Sequence, residues 1–343
     1  MIRWFTKFDP EFQALRQAAE RPQARLDGAF DAPWTDHVLN YVRIRTTSQI
    51  LATRAKASLL LGRPAEAAAD LRVMRRIMDL NGAAQPTLVS AMIRVAVGGL
   101  HASVIMEGWR EHLWQEPQWI EIERQLRPVH FLADFSDSIR GGERAGLIEV
   151  FDRYRRGQIL ALFELDKSRR TPFWLSGQGF YIHFAPRGWF CQNELLGAQV
   201  YQTGLSNIDL EHERVFPSAL DAQFGEIIAS LEHGPYHSMV QAMIPNFGKA
   251  VSVSTRNQTL VNEVRIVGAL ERYKKAAGQY PETLAALVPA YLDQLPHDLV
   301  NGQPLKYHRN SDGTFLLYAV GWDEKDDGGS EGADWVWGKE NWK

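Results

Sequence analysis

Apolar residues recur at three- and four-residue steps through residues 259–277, at Leu260, Val264, Val267, Leu270 and Tyr273, and beyond a short helical stretch the pattern changes to that of strands. A long helix with one apolar stripe that leads into strands must lay that stripe on the sheet it precedes. Gly278 ends the helix and Tyr280-Pro281-Glu282 opens a second, short one over 282–288. Leu305 and Tyr307 begin a strand, Asn310-Ser311-Asp312-Gly313 turns the chain, and residues 314–320 return as a strand that is apolar on both faces. That strand needs two covers. The long helix supplies one, and the other falls to the loop that follows or to the rest of the chain. The loop is acidic and glycine-rich, with six carboxylates and one lysine over residues 323–334.

Everything upstream reads as helix. With 343 residues and 45% hydrophobic content the chain can bury one large core or two ordinary ones, and two domains are expected, at 1–251 and 252–343. A short helix over 12–20 stops at Pro22. Trp34-Thr35-Asp36 offers caps for a long helix running to Leu61, which Gly62 and Pro64 end. Its partner, over 65–80, keeps Ala68, Leu71, Met74 and Met78 on one face, with Asp70, Arg72, Arg75 and Arg76 at the other positions. The small residues around Gly62 resemble the turn of a tetratricopeptide hairpin, but no second copy follows, so a repeat array is not predicted. Further helices are expected over 87–113, 117–131, 135–156, 188–204, 217–232 and 236–250. Inside the 135–156 pattern, Gly141-Gly142 marks either a break or a tight packing contact, and the neighbouring Glu143-Arg144 reads as an ordinary ion pair. The aromatic-rich stretch 157–187 reads as an irregular connection over the helical core, or alternatively as a lid over a pocket.

A net charge of −3 and a pI near 6.4 exclude the broad basic surface of a nucleic-acid or anionic-membrane binder. The apolar run 87–106 is interrupted by Arg94 and His101, so a buried helix is expected there and no membrane span. The one cysteine, Cys191, has no neighbouring base in sequence and is expected to pack inside.

Ala269-Leu270-Glu271-Arg272-Tyr273, then Gly278-Gln279-Tyr280-Pro281-Glu282-Thr283-Leu284-Ala285-Ala286-Leu287-Val288-Pro289, Leu295-Pro296-His297-Asp298, Asn301-Gly302-Gln303-Pro304-Leu305-Lys306-Tyr307 and Asp326-Asp327-Gly328-Gly329 follow one another in an order that resembles the globular part of the major pseudopilins of type II secretion systems. The resemblance implies a helix packed on a small antiparallel sheet, hence an α+β chain with a large all-α N-terminal part. It also implies a structural calcium ion held near Asp323, Asp326, Asp327 and Asp334. Such proteins begin with a processed leader and a continuous hydrophobic helix that stacks subunits into filaments. Here residues 1–251 of helical pattern precede the module instead, so filament assembly by that route is not expected. The layout resembles a group of bacterial proteins that are often membrane-anchored, which implies an anchor upstream of Met1 and a cell-envelope or periplasmic location.

Hard oxygen ligands on a flexible loop suit calcium chemically, but without the resemblance the loop reads as a solvated acidic surface. Read from Asp323 the spacing follows part of an EF-hand loop, but Lys325 occupies a ligand position and a strand precedes it, so an EF-hand is rejected. Neither His233 with His237, separated by Gly234-Pro235, nor Glu211-His212-Glu213-Arg214 has metal-site spacing on a helix, and both read as loop surface. No nucleophile elbow, phosphate loop or dinucleotide fingerprint occurs, and no catalytic residue is assigned. These readings point to a non-catalytic scaffold that acts through protein partners in an envelope or secretion assembly. The alternative is a hydrolase-type enzyme with a pocket between the helical part and 157–187.

Overall fold

A computed structural model describes residues 5–23, 40–84, 87–156, 184–231, 235–237, 240, 244–330 and 332–339. The chain is α+β. Its helices are α1 (Asp9–Ala19), α2 (Tyr41–Leu60), α3 (Pro64–Ala84), α4 (Leu88–Arg110), α5 (Glu116–Leu126), α6 (Phe131–Asp137), α7 (Arg144–Arg155), α8 (Arg187–Ser206), α9 (Pro217–Ser230) and α10 (Ile244–Ala277). Strands β1 (Ile208–Asp209) and β2 (Arg214–Val215) form a small antiparallel ribbon. Strands β3 (Lys306–Arg309), β4 (Phe315–Ala319) and β5 (Trp335–Val336) form an antiparallel sheet in that order.

The spine is α10. It begins at Ile244, so the separate helices expected over 236–250 and 259–277 are continuous from there, and the boundary expected at 251/252 falls inside it. The hydroxyl- and amide-rich stretch around 252–258 looks like a poor helix former. It stays helical because Thr255 and Asn257 donate back to the carbonyls of Val251 and Val253, four residues earlier, and because Ser254, Thr255 and Thr259 are buried against neighbours that hold the segment. Two apolar clusters meet along α10. Leu260, Val264, Val267 and Leu270 join the core of α2 to α5 and the sheet, while Phe247, Ala250 and Val251 join that of α6, α8 and α9.

In α4, the one described helix long and apolar enough to cross a membrane, half of the apolar window is buried inside the protein. Arg94 pairs with Asp134, and His101 is fully buried with Nε2 3.1 Å from Gln125 Oε1. Burial pushes the His101 imidazole down to about 4, so it stays neutral at pH 7. Gly98, at the centre of the run, lets the Phe131 ring sit against the helix backbone, where a Cβ would overlap it.

The glycine pair Gly141-Gly142 lies in a π turn, Ser138–Glu143, between α6 and α7. Glu143 accepts a 2.7 Å hydrogen bond from the Leu88 amide and so caps α4, which replaces the expected ion pair with a helix-end role. The start of the predicted 35–61 helix falls outside the described residues; α2 is capped by Asn40, whose side chain accepts from the Arg43 amide at 3.0 Å. In α3 the predicted stripe Ala68, Leu71, Met74 and Met78 is buried, but so is Asp70. Cys191 is exposed, contrary to expectation, because α8 buries the opposite face through Phe190, Asn193, Leu196, Gly197 and Val200.

Candidate functional site

The acidic loop is the other cover of β4. Leu317 and Ala319 face the core under α10, and Gly329 packs against Leu316 and Tyr318 on the opposite face, 3.1 Å and 3.2 Å from where its Cβ would lie. Gly329 is at φ 79° and Gly328 at φ 70°, backbone that side chains other than glycine rarely adopt. The loop closes where Gly321 meets Ala333, so closely that a Cβ on Gly321 would overlap the Ala333 carbonyl oxygen. Because both partners are backbone, neither can rotate away. Gly321→Ala is expected to destabilise the protein by about 1–3 kcal/mol, read by chemical denaturation, with the loss traced by hydrogen exchange to the amides of Asp327 and Gly329.

The predicted ligands separate into two kinds. Asp334 is 1% exposed, and its Oδ2 accepts from the amides of Asp327 at 3.1 Å and Gly329 at 2.8 Å. Its Oδ1 is buried with no hydrogen-bond partner, an acceptor with lone pairs to give. Asp323, Asp326 and Asp327 are exposed. Asp326 accepts from the Tyr318 hydroxyl at 3.0 Å and the Gly328 amide at 3.1 Å, and lies 3.3 Å from Lys306 Nζ. The amide, the hydroxyl and the ammonium together hold its carboxyl below the usual range. Burial, reinforced by Asp326, pushes the Tyr318 phenol up to about 12. Glu324, at φ 64°, takes another role and accepts from the Ser218 amide at 2.7 Å, tying the loop to the N-terminus of α9. Asp334 thus offers one buried acceptor oxygen. Among the described residues no group of three acidic, histidine or cysteine side chains converges to complete a metal site.

Asp298 and Glu263 are also buried carboxyls. Asp298 is 1% exposed and pins its own turn to the end of β4, accepting from the amides of Val300 at 2.8 Å and of Val320, the residue after the strand, at 2.8 Å. Glu263 on α10 is 4% exposed, and its Oε1 has no partner. Burial raises the Glu263 carboxyl well above its usual range; Arg256 opposes this and Asp298 adds to it. The fold thus favours the protonated form, and the folded chain keeps a proton that the unfolded chain releases above about 4.5. The resulting stability is present at low pH and is lost as pH rises from there through the folded-state value. Glu263→Gln is expected to flatten that decline, gaining about 1–3 kcal/mol over wild type at pH 8. Paired denaturation curves at pH 5 and pH 8 check it.

A second place gathers chemistry that was not expected. A half-open polar cleft of about 1040 Å³ has a stripe of α10, Gln258, Asn262 and Arg265, along one side. The β1–β2 turn forms another wall, and the segment 293–297 a third. His130 Nδ1 is 3.4 Å from Glu213 Oε1, which raises the imidazole and lowers the carboxyl. His297 Nε2 lies 3.0 Å from the His212 carbonyl and 3.2 Å from that of Glu213. Glu213 is held at φ 46°, outside the range a glutamate ordinarily adopts. Glu211-His212-Glu213-Arg214, read as plain loop surface, is this wall. Its partners come from distant parts of the chain, and the only local trace was the 258/262/265 spacing, polar residues on one helical face.

Of the remaining expectations, His237 lies in the 3-10 turn Pro235–His237 and His233 outside the described residues. The pocket expected beneath 157–187 depends on residues 157–183, also outside them. No protein-family model, curated protein or solved structure matches the chain.

Proposed function

We propose that the chain is a non-catalytic interaction protein of a bacterial envelope or secretion assembly, with a C-terminal module related to pseudopilins and steadied by a structural calcium ion. The observation that carries this reading is the double use of α10. One face covers the sheet β3–β5, as a pseudopilin helix would, while the same helix packs against α4, α5 and α6. The helix that covers the sheet is also held by three helices of its own chain, which favours a module fixed to a helical body and working through its surfaces. Asp334, with its orphaned buried oxygen, would hold the ion, with Asp323, Asp326 and Asp327 nearby in sequence. Calcium there supplies charge neutralisation and a closed loop.

Cross-linking in living cells of the source organism, followed by affinity capture and mass spectrometry, tests the assignment. Envelope or secretion components enriched over a mock-tagged strain are expected. Their absence, with cytosolic proteins recovered instead, would overturn it.

A further inference from the structure

We infer that the polar cleft beside α10 is a peptide-binding site, taking an extended segment in which a carboxylate neighbours an aliphatic side chain. The inference rests on the interaction-protein reading above and locates where a partner is held.

Most charges of the lining are already spent on internal partners. Arg127 pairs with Asp293, and Arg265 with Glu123 at 3.2 Å. Glu213 pairs with His130, and Asp209 accepts from the Glu211 and His212 amides and lies 2.8 Å from His212 Nδ1. Glu211 is exposed in the turn. Arg214 remains. No carboxylate lies within ion-pair distance of it among the described residues. Its guanidinium stacks over the Phe216 ring at 5.1 Å, and Nη2 reaches the Val300 carbonyl at a long 3.4 Å. Its Nε is buried without an acceptor. A permanently charged guanidinium that lines a cleft and has no carboxylate partner is matched by a carboxylate.

The cleft also has an apolar annex. A cavity of about 170 Å³ shares His130, Leu210, Glu213 and Gln258 with it and is walled by Leu132, Ala133 and Leu299, room for one aliphatic side chain. A simple inorganic anion would leave this annex empty. The cleft lining shows no aromatic platform for sugars or bases, and its acidic residues disfavour a polyphosphate backbone. Asn262, 4% exposed beside the cleft and donating only at a long 3.5 Å to the His297 carbonyl, adds an amide able to meet a peptide backbone.

The test is an NMR titration of the full-length ¹⁵N-labelled protein with acetyl-Ser-Gly-Leu-Glu-Gly-Ser-amide. Parallel titrations use the same peptide with Glu replaced by Gln, with Leu replaced by Ser, and with the acidic group moved to a free C-terminus. Saturable shifts confined to the His130 and His297 imidazoles, the Asn262 amide and the β1–β2 turn are expected. Binding should weaken at least tenfold for the Gln peptide and for Arg214→Gln, and less for the Ser peptide. The free-C-terminus peptide tells whether a side-chain or a chain-end carboxylate is preferred. Should Arg214→Gln lose its fold, Arg214→Lys and the comparison of peptides on wild type decide. No saturable shift in the cleft, or equal binding of the Glu and Gln peptides, would overturn the inference. Hydrolysis of the bound peptide would instead refute the non-catalytic reading and leave the ligand class standing.

Discussion

Asp70→Ala is expected to destabilise the protein by about 3–5 kcal/mol, the loss typical when one partner of a buried ion network is removed. Asp70 is wholly buried on α3 and receives four guanidinium contacts from two other helices. Arg54 Nη1 of α2 lies 2.7 Å and 3.0 Å from its two oxygens, and Arg16 Nη2 and Nε of α1 lie 2.8 Å and 3.3 Å from Oδ1. Arg54 is itself 8% exposed and stacked on Phe12 at 4.2 Å. Without Asp70 its nearest carboxylate is Asp9, 3.9 Å away and more than half exposed, too weak a partner for a buried cation. Asp70→Asn, which keeps an acceptor but removes the charge, should fall between wild type and alanine. Replacing Asp70 with leucine and both Arg54 and Arg16 with methionine should recover much of the loss, because the buried charge disappears with both of its partners. Denaturation curves of the four proteins check all three statements.

The same triad shows why part of this fold was legible and part was not. The stripe Leu260, Val264, Val267 and Leu270 could be read directly, since helical spacing is local, and so could the turn Asn310-Ser311-Asp312-Gly313 between β3 and β4. Asp70 could not be placed, because its burial depends on α1 and α2 bringing guanidiniums to it. The merger of two expected helices into α10 was hidden by hydroxyl side chains that disfavour helix in isolation but here bond to their own backbone. Gly141-Gly142 announced an irregularity without saying that it would be a π turn that lets Glu143 cap α4. Strand β5 is two residues long and paired only through β4, too short to leave a period in the sequence. The polar cleft was the least legible feature, since its walls are assembled from residues around 130, 210, 260 and 297. The acidic loop was the reverse case: composition announced it, and the structure distributed its carboxylates among three tasks, capping α9, bracing Tyr318 and turning inward at Asp334.

That inward carboxylate carries the second large effect. If Asp334 Oδ1 receives a calcium ion, the folded chain binds a ligand that the unfolded chain does not, and its stability must rise with free calcium. At a concentration one hundred times the dissociation constant the gain is about 2.7 kcal/mol, a melting shift of roughly 5–10 °C for a domain of ordinary size. Asp326 bears on the same event. Its carboxylate is held by Lys306, so recruiting it to the ion means releasing that ammonium, and Lys306→Met should leave calcium binding intact or tighter. Asp334→Ala should abolish the calcium response, and it also leaves the amides of Asp327 and Gly329 without their acceptor, so its stability should fall even in chelator. The most direct measurement is therefore a thermal melt of wild type and Asp334→Ala, each in excess EGTA and in millimolar calcium. A calcium-dependent rise in wild type that is absent in Asp334→Ala is predicted; identical wild-type melts in chelator and calcium would contradict the calcium-stabilised module.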